Sequence, residues 1–265
     1  MKWIVYPHAY LIVVLLAGCM TDRNEAAHRV FRRSTVTVNG YGRIDPATLA
    51  ATNRYVSVKG SPSLYSERIV DAEKIDRTRQ DDRGCGEAVG ANLTVMTGWA
   101  ERAGFADEDA IFRSFYEIYG TASYGVRSVV DHVFKRLPGY AVKDYLTSSG
   151  SAAFDVAVFT RIERWLENGY AVGLLYLHGT PAKRRGNHVI TLWGLCKDDR
   201  FPSSDPHHYA AVFVSDSDDD KRGYATAEAA PNRVRILPVT WDGQDGVYRI
   251  ANGYLAKAIA LAPTP

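Results

Sequence analysis

Cysteine is scarce: three in 265 residues, at positions 19, 85 and 196. So few exclude a disulfide-stapled scaffold of the kind small exported domains use. Charge of one sign is also missing. With 32 basic and 30 acidic side chains the formal net charge is +2, and no basic face of the kind nucleic acid requires is encoded. Arginines pair at Arg32-Arg33 and Arg184-Arg185, but each cluster is short. No apolar run approaches the roughly 20 residues of a membrane-spanning helix. Internal repeats and low-complexity blocks are absent too.

What is present begins at the N-terminus. Lys2 precedes an apolar stretch from Leu11 to Ala17, broken upstream by Pro7 and His8. This is the pattern of an export signal. It ends in Leu16-Ala17-Gly18-Cys19, which looks like a bacterial lipobox, whose cysteine becomes the lipidated first residue of the mature chain. Residues 1–18 are therefore expected to be a lipoprotein signal peptide. Residues 19–53, rich in Arg, Thr, Asn and Ala, read as the lipidated Cys19 and a tether, and residues 54–265 as the folded domain. The expected location is the bacterial cell envelope, held to the membrane through lipid on Cys19.

Arg54 to Lys59 alternates as a short strand would. From Cys85 the period becomes helical, with Val89, Leu93, Met96 and Ala100 in one apolar stripe. Gly86 and Gly90, one turn apart, invite close approach by another backbone. Further helices are expected over 108–119 (with Ile111, Phe115 and Ile118 on its apolar side), 124–136 and 154–167. Strands are expected at 170–177, 188–195, 209–215, 233–241 and 254–261. Helices first and strands second, with short connections among the strands, predict an α+β domain with segregated layers and a mostly antiparallel sheet.

Cys85 lies in Gly84-Cys85-Gly86 at the start of the helical stripe, where the helix dipole favours a thiolate and the glycines leave room for a substrate backbone. Cys196 closes an apolar strand and reads as a packed thiol. A thiolate nucleophile needs a base and a group that orients it. Among seven histidines, His188 opens an alternating strand after a loop, so its ring can face a cleft while Val189 points the other way. The acidic run from Asp216 to Asp220 follows an apolar strand. As a calcium loop it fails, since its sixth residue is Lys221 and its twelfth Ala227, where Gly and Glu are needed. Asp216 at one strand end and His188 at the start of another suit an antiparallel neighbour pair, the carboxylate fixing the imidazole. Cys196, His207 and His208 follow no recognised metal-ligand spacing; neither metal nor cofactor is expected.

Four stretches then carry a family resemblance: Val58-Lys59-Gly60; Asp81 to Gly86 continuing to Ala91-Asn92-Leu93; Asn187-His188-Val189-Ile190-Thr191-Leu192-Trp193-Gly194; and Val214-Ser215-Asp216-Ser217-Asp218. In these the chain resembles the IdeS/Mac family of secreted cysteine endopeptidases, the IgG-degrading enzymes of streptococci and their relatives. The resemblance spans about residues 56–220. It implies a papain-like fold, Cys85 as nucleophile, His188 as general base and acid, Asp216 as orienter and Asp218 as a supporting carboxylate. It also implies a lysine upstream that helps bind the oxyanion. Lys74 matches, one residue farther from the nucleophile than in the family pattern. The partner the resemblance implies is a host protein substrate, immunoglobulin, cut near the hinge. The lipid anchor, the basic stretch Thr180 to Arg185 and the insertion Phe201 to His208 set this chain apart from the family. Two other readings stand beside the protease: an immunoglobulin-binding surface lipoprotein without turnover, and a transglutaminase-like acyl transferase with the same triad logic.

Overall fold

The structure is a computed structural model that describes residues 54–57, 70, 72, 84–119, 125–146, 157–217 and 234–265. The expected signal peptide, Cys19 and the whole tether lie outside the described residues, as do Lys74 and Asp218. Among the described residues no helix is long and apolar enough to cross a membrane.

The strands are β1 (Arg54–Ser57), β2 (Val142–Leu146), β3 (Ala171–Thr180), β4 (Lys183–Lys197), β5 (Tyr209–Ser215), β6 (Arg235–Asp242), β7 (Val247–Ile250) and β8 (Gly253–Leu261). The helices are α1 (Cys85–Met96), α2 (Trp99–Arg102), α3 (Glu108–Tyr119), α4 (Val126–Phe134) and α5 (Val158–Glu167). Among the described residues every strand pairing is antiparallel. The class is α+β, as expected.

The sheet closes on itself. β4 pairs β3, β3 pairs β8, and the ladder continues through β7, β6 and β5 back to β4. β1 and β2 flank this ring, on β4 and β8. Strand alternation therefore sorts side chains to the inside or outside of a barrel. Val172, Leu174, Ile190, Leu192, Val212, Val214, Leu255 and Ala258 fill the interior. Ala171, Val189, Trp193, Phe213, Ile259 and Leu261 face outward into a second core, built with α1, α3 and α4.

The layers are less segregated than the sequence implies. β2 intervenes between helices, and α5 joins the interior core rather than the outer one. It closes one end of the barrel, with Phe159 stacked on Tyr209 at 5.2 Å and edge-on to Tyr248 at 4.7 Å between ring centroids. At that end Glu163 accepts hydrogen bonds from both Lys197 and the Tyr209 hydroxyl.

α1 shows little amphipathicity because it is covered all round, by the barrel on one side and α3 and α4 on the other. At Gly90 side chains rather than another backbone come close: a β-carbon there would stand 3.4 Å from side-chain atoms of Phe115, Val129 and Val130. The expected stripe to Ala100 is interrupted. Thr97 bonds back to the Leu93 carbonyl at 2.6 Å and Gly98 turns left-handed at φ 80°, so Ala100 belongs to α2. On α3, Ile111, Phe112 and Phe115 are buried, whereas Ile118 is 46% exposed. The next helical step, Tyr119, packs against the core in its place.

Candidate active site

Cys85 is the first residue of α1, which begins with the bond from Ala88 N–H to the Gly84 carbonyl at 3.0 Å. Helix starts concentrate N–H donors, a setting that favours an anionic sulfur or a developing oxyanion. The thiol is buried but not sealed, at 7% exposure, and neither Cys85 nor Cys196 forms a disulfide. Cys196 is fully buried in β4, on the outer core.

β4 changes character at His188. The five residues Lys183 to Asn187 are exposed, and from His188 onward every residue is buried. Across the ladder His188 pairs with Tyr176, whose ring meets the imidazole edge-on at 5.6 Å. β4 and β5 share the register Thr191↔Ser215, so Asp216 follows opposite Ile190, diagonal to His188 and on the same side of the sheet. The Nε2 of His188 and Oδ1 of Asp216 are 2.6 Å apart, both side chains under 10% exposed. The short distance and the burial describe a charge-assisted pair shielded from water. With Nε2 so engaged, proton exchange with a thiol runs through Nδ1.

Cys85 and this pair reach the same end of the barrel. The C-terminus of α1 is tied to the chain beyond β8 by Thr264 N–H donating to the Thr97 carbonyl at 2.9 Å. β8 ends beside the start of β3, where α5 sits, so α1 runs from the opposite end toward α5. Midway, Asn92 donates to Thr191 Oγ1 at 3.0 Å. From Asn92 back to Cys85 is seven residues of helix, about 10 Å. From Thr191 back to His188 is three residues of strand, also about 10 Å and in the same direction. The thiol and the imidazole thus lie at the same end of the barrel, the one α5 leaves open, Cys85 in the outer core with Val189 and His188 on the face of β4 that carries Ile190.

The chain before α1 helps fix this alignment. Ala72 N–H donates to Asn92 Oδ1 at 2.8 Å, and Ser215 Oγ donates to the Val70 carbonyl at 3.3 Å. Asn92 thus joins the incoming segment, the nucleophile helix and β4. Sequence reasoning gave neither Asn92 nor Tyr176 a role. For Asn92 a signal exists, since an amide between Ala91 and Leu93 in a covered helix must find partners. Glu87 is another surprise: its carboxyl is fully buried in the first turn of α1, two residues from the thiol.

Of the expected site residues, the structure brings His188 and Asp216 into contact and carries Cys85 to their end of the barrel. The parts expected of Lys74, Asp218 and Cys19 fall outside the described residues. No family model matches this chain, and comparison with curated proteins finds no similar one.

Proposed function

We propose that the chain is an exported, lipid-anchored cysteine endopeptidase with a papain-like fold, acting on a host protein, immunoglobulin first among them. The observation that carries this reading is the shared barrel end: a thiol at a helix start and a buried imidazole–carboxylate pair, aligned by the Asn92–Thr191 bond. The quoted motifs around Cys85, His188 and Asp216 supply the family.

In the proposed reaction His188 takes the thiol proton at Nδ1 while Asp216 holds Nε2. The resulting thiolate attacks the scissile carbonyl, and the negative charge moves to its oxygen. N–H groups at the start of α1, with the Lys74 ammonium, receive that oxyanion. The tetrahedral intermediate collapses as the imidazolium gives its proton to the leaving amine, forming a thioester. Water, deprotonated by His188, then hydrolyses the thioester and restores the thiol. Asp218 supports Asp216 in this scheme, as the resemblance implies.

The test is cleavage of purified immunoglobulins of several classes, read as fragment masses, together with the rate of iodoacetamide labelling. Wild type is expected to cut and to label Cys85 rapidly near neutral pH. Cys85→Ala abolishes cutting, and Cys196→Ala leaves most of it. Equal loss from both substitutions, or slow labelling of Cys85, contradicts the reading. Fragments that gain an amine rather than water assign acyl transfer instead, and immunoglobulin bound but left whole assigns a binding lipoprotein.

A further inference from the structure

The stretch Thr180 to Arg185 has no part in the chemistry above, yet it grows directly out of the strand that holds His188. β3 and β4 continue pairing beyond the barrel, through Gly179↔Arg184 and Thr180↔Lys183, and reverse over Pro181 and Ala182. Thr180 Oγ1 accepts from the Lys183 N–H at 3.1 Å across the turn. The base of this hairpin is fastened on both sides. Arg249 donates from Nη1 to the Gly179 carbonyl at 2.8 Å, and His178 Nδ1 meets Asn252 Oδ1 at 2.7 Å. It is a held ladder, so its charges have defined positions.

Lys183, Arg184 and Arg185 are all exposed on this arm, and among the described residues none of the three is in an ion pair. The carboxylates beside the hairpin base, Asp242 and Asp245, are both bonded to Arg249. With Arg249 counted, four cations face two carboxylates there among the described residues. In a chain whose whole formal charge is only +2, this is a local positive field. Arg185 lies three residues from His188 along β4 and Lys183 five, about 10 and 17 Å at strand spacing. An extended peptide crossing the Cys85–His188 end covers that distance in three to five residues.

We propose that the β3–β4 hairpin is a docking arm that selects protein substrates bearing Asp and Glu residues about three to five positions from the cleaved bond. This rests on the endopeptidase reading and adds a substrate class to it. Guanidinium forks match carboxylates bidentately, and the two of Arg184 and Arg185 with the Lys183 ammonium, on both faces of one strand, favour a run of acidic residues over a single one. Such a field acts mainly on encounter and selection, and salt weakens it.

The test compares the full chain with a variant carrying Lys183→Gln, Arg184→Gln and Arg185→Gln. The first probe is a fluorescein-labelled octaglutamate peptide, followed by anisotropy at 50 and 300 mM NaCl. Wild type is expected to bind at the lower salt and weaken at the higher, with the variant at least about tenfold weaker. The second readout is the set of cut sites in a denatured protein mixture. Wild-type sites should be enriched in Asp and Glu three to five positions from the cut, and variant sites should lose that enrichment. The iodoacetamide rate at Cys85 should agree within about twofold between the two, which keeps the nucleophile assignment separate. Loss of Cys85 reactivity in wild type sinks the endopeptidase reading while octaglutamate binding still decides the arm. Equal octaglutamate binding by both proteins, none by wild type, or binding only to vesicles containing anionic phosphatidylglycerol overturns the docking arm.

Discussion

His188 Nε2 and Asp216 Oδ1 stand 2.6 Å apart in a part of the barrel mouth that water scarcely reaches, with Tyr176 edge-on to the imidazole. The bond fixes which nitrogen faces inward and holds the ring plane, because a buried imidazole held on one side by a carboxylate and on another by an aromatic ring has little freedom left. Asp216→Ala should therefore slow both Cys85 alkylation and any cleavage by about a hundredfold. Asp216→Asn should recover a good part of this loss, since its amide oxygen accepts the same hydrogen bond. Measuring iodoacetamide rates for the three proteins at pH 7 decides it. An alanine variant as reactive as wild type would mean the carboxylate has no hand in activating the thiol.

Gly173 sets how closely the nucleophile helix lies on the barrel. A β-carbon at this position would stand 2.8 Å from Val89 Cγ1 and 3.8 Å from Leu93 Cδ1, and the Val89 methyl belongs to a β-branched side chain with little room to turn. Gly173→Ala should push α1 outward at a cost of about 1–3 kcal/mol in folding stability. It should also slow Cys85 alkylation, because the thiol and His188 are aligned through that contact layer. Urea unfolding and alkylation of the same sample test both parts. A variant of full stability would show that α1 is not held at this distance by Gly173.

The candidate site residues stand out in the sequence because each sits at an element boundary with a local signature: a glycine-flanked cysteine before a helical stripe, a histidine opening a strand, an aspartate closing one. Their placement at one end of the barrel is harder to read. It depends on the direction of α1 relative to β4, which is set by Asn92, Thr191, Thr97 and Thr264, residues without a periodic signal. Barrel closure is equally hidden, since the β4–β5 ladder follows from bulges near Gly194 and Lys197 that no alternation encodes. β2 and β7 went unrecognised for another reason: each is four or five residues with charges inside, Lys143-Asp144 in one and Arg249 in the other. Asp144 is paired with Arg127 and Lys257, Arg249 with Asp242 and Asp245, and the Lys143 ammonium lies over the Tyr170 ring at 4.6 Å, so strands that look too polar are satisfied in place.

At the opposite end of the barrel, Lys197, only 3% exposed, is paired with Glu163, which also accepts the Tyr209 hydroxyl at 2.7 Å. Burial alone would raise the Glu163 carboxyl, but the bonds from Lys197 and Tyr209 outweigh it and hold the group below its ordinary value. A carboxyl depressed in the folded state adds stability above its unfolded value, near pH 4.3, and that stability is lost as pH falls through the folded value. Lys197→Met removes the cation and leaves a buried carboxylate without its charge partner, which should cost about 3 kcal/mol at pH 7. In the variant burial is opposed mainly by the Tyr209 bond, so Glu163 takes up a proton more readily while folded and the penalty fades on acidification. The stability difference between the two proteins should therefore shrink between pH 7 and pH 4. Urea midpoints at pH 7, 5.5 and 4 measure it. A difference that stays constant across that range would mean Glu163 is not the group that feels Lys197, and the short contact at this end would need another account.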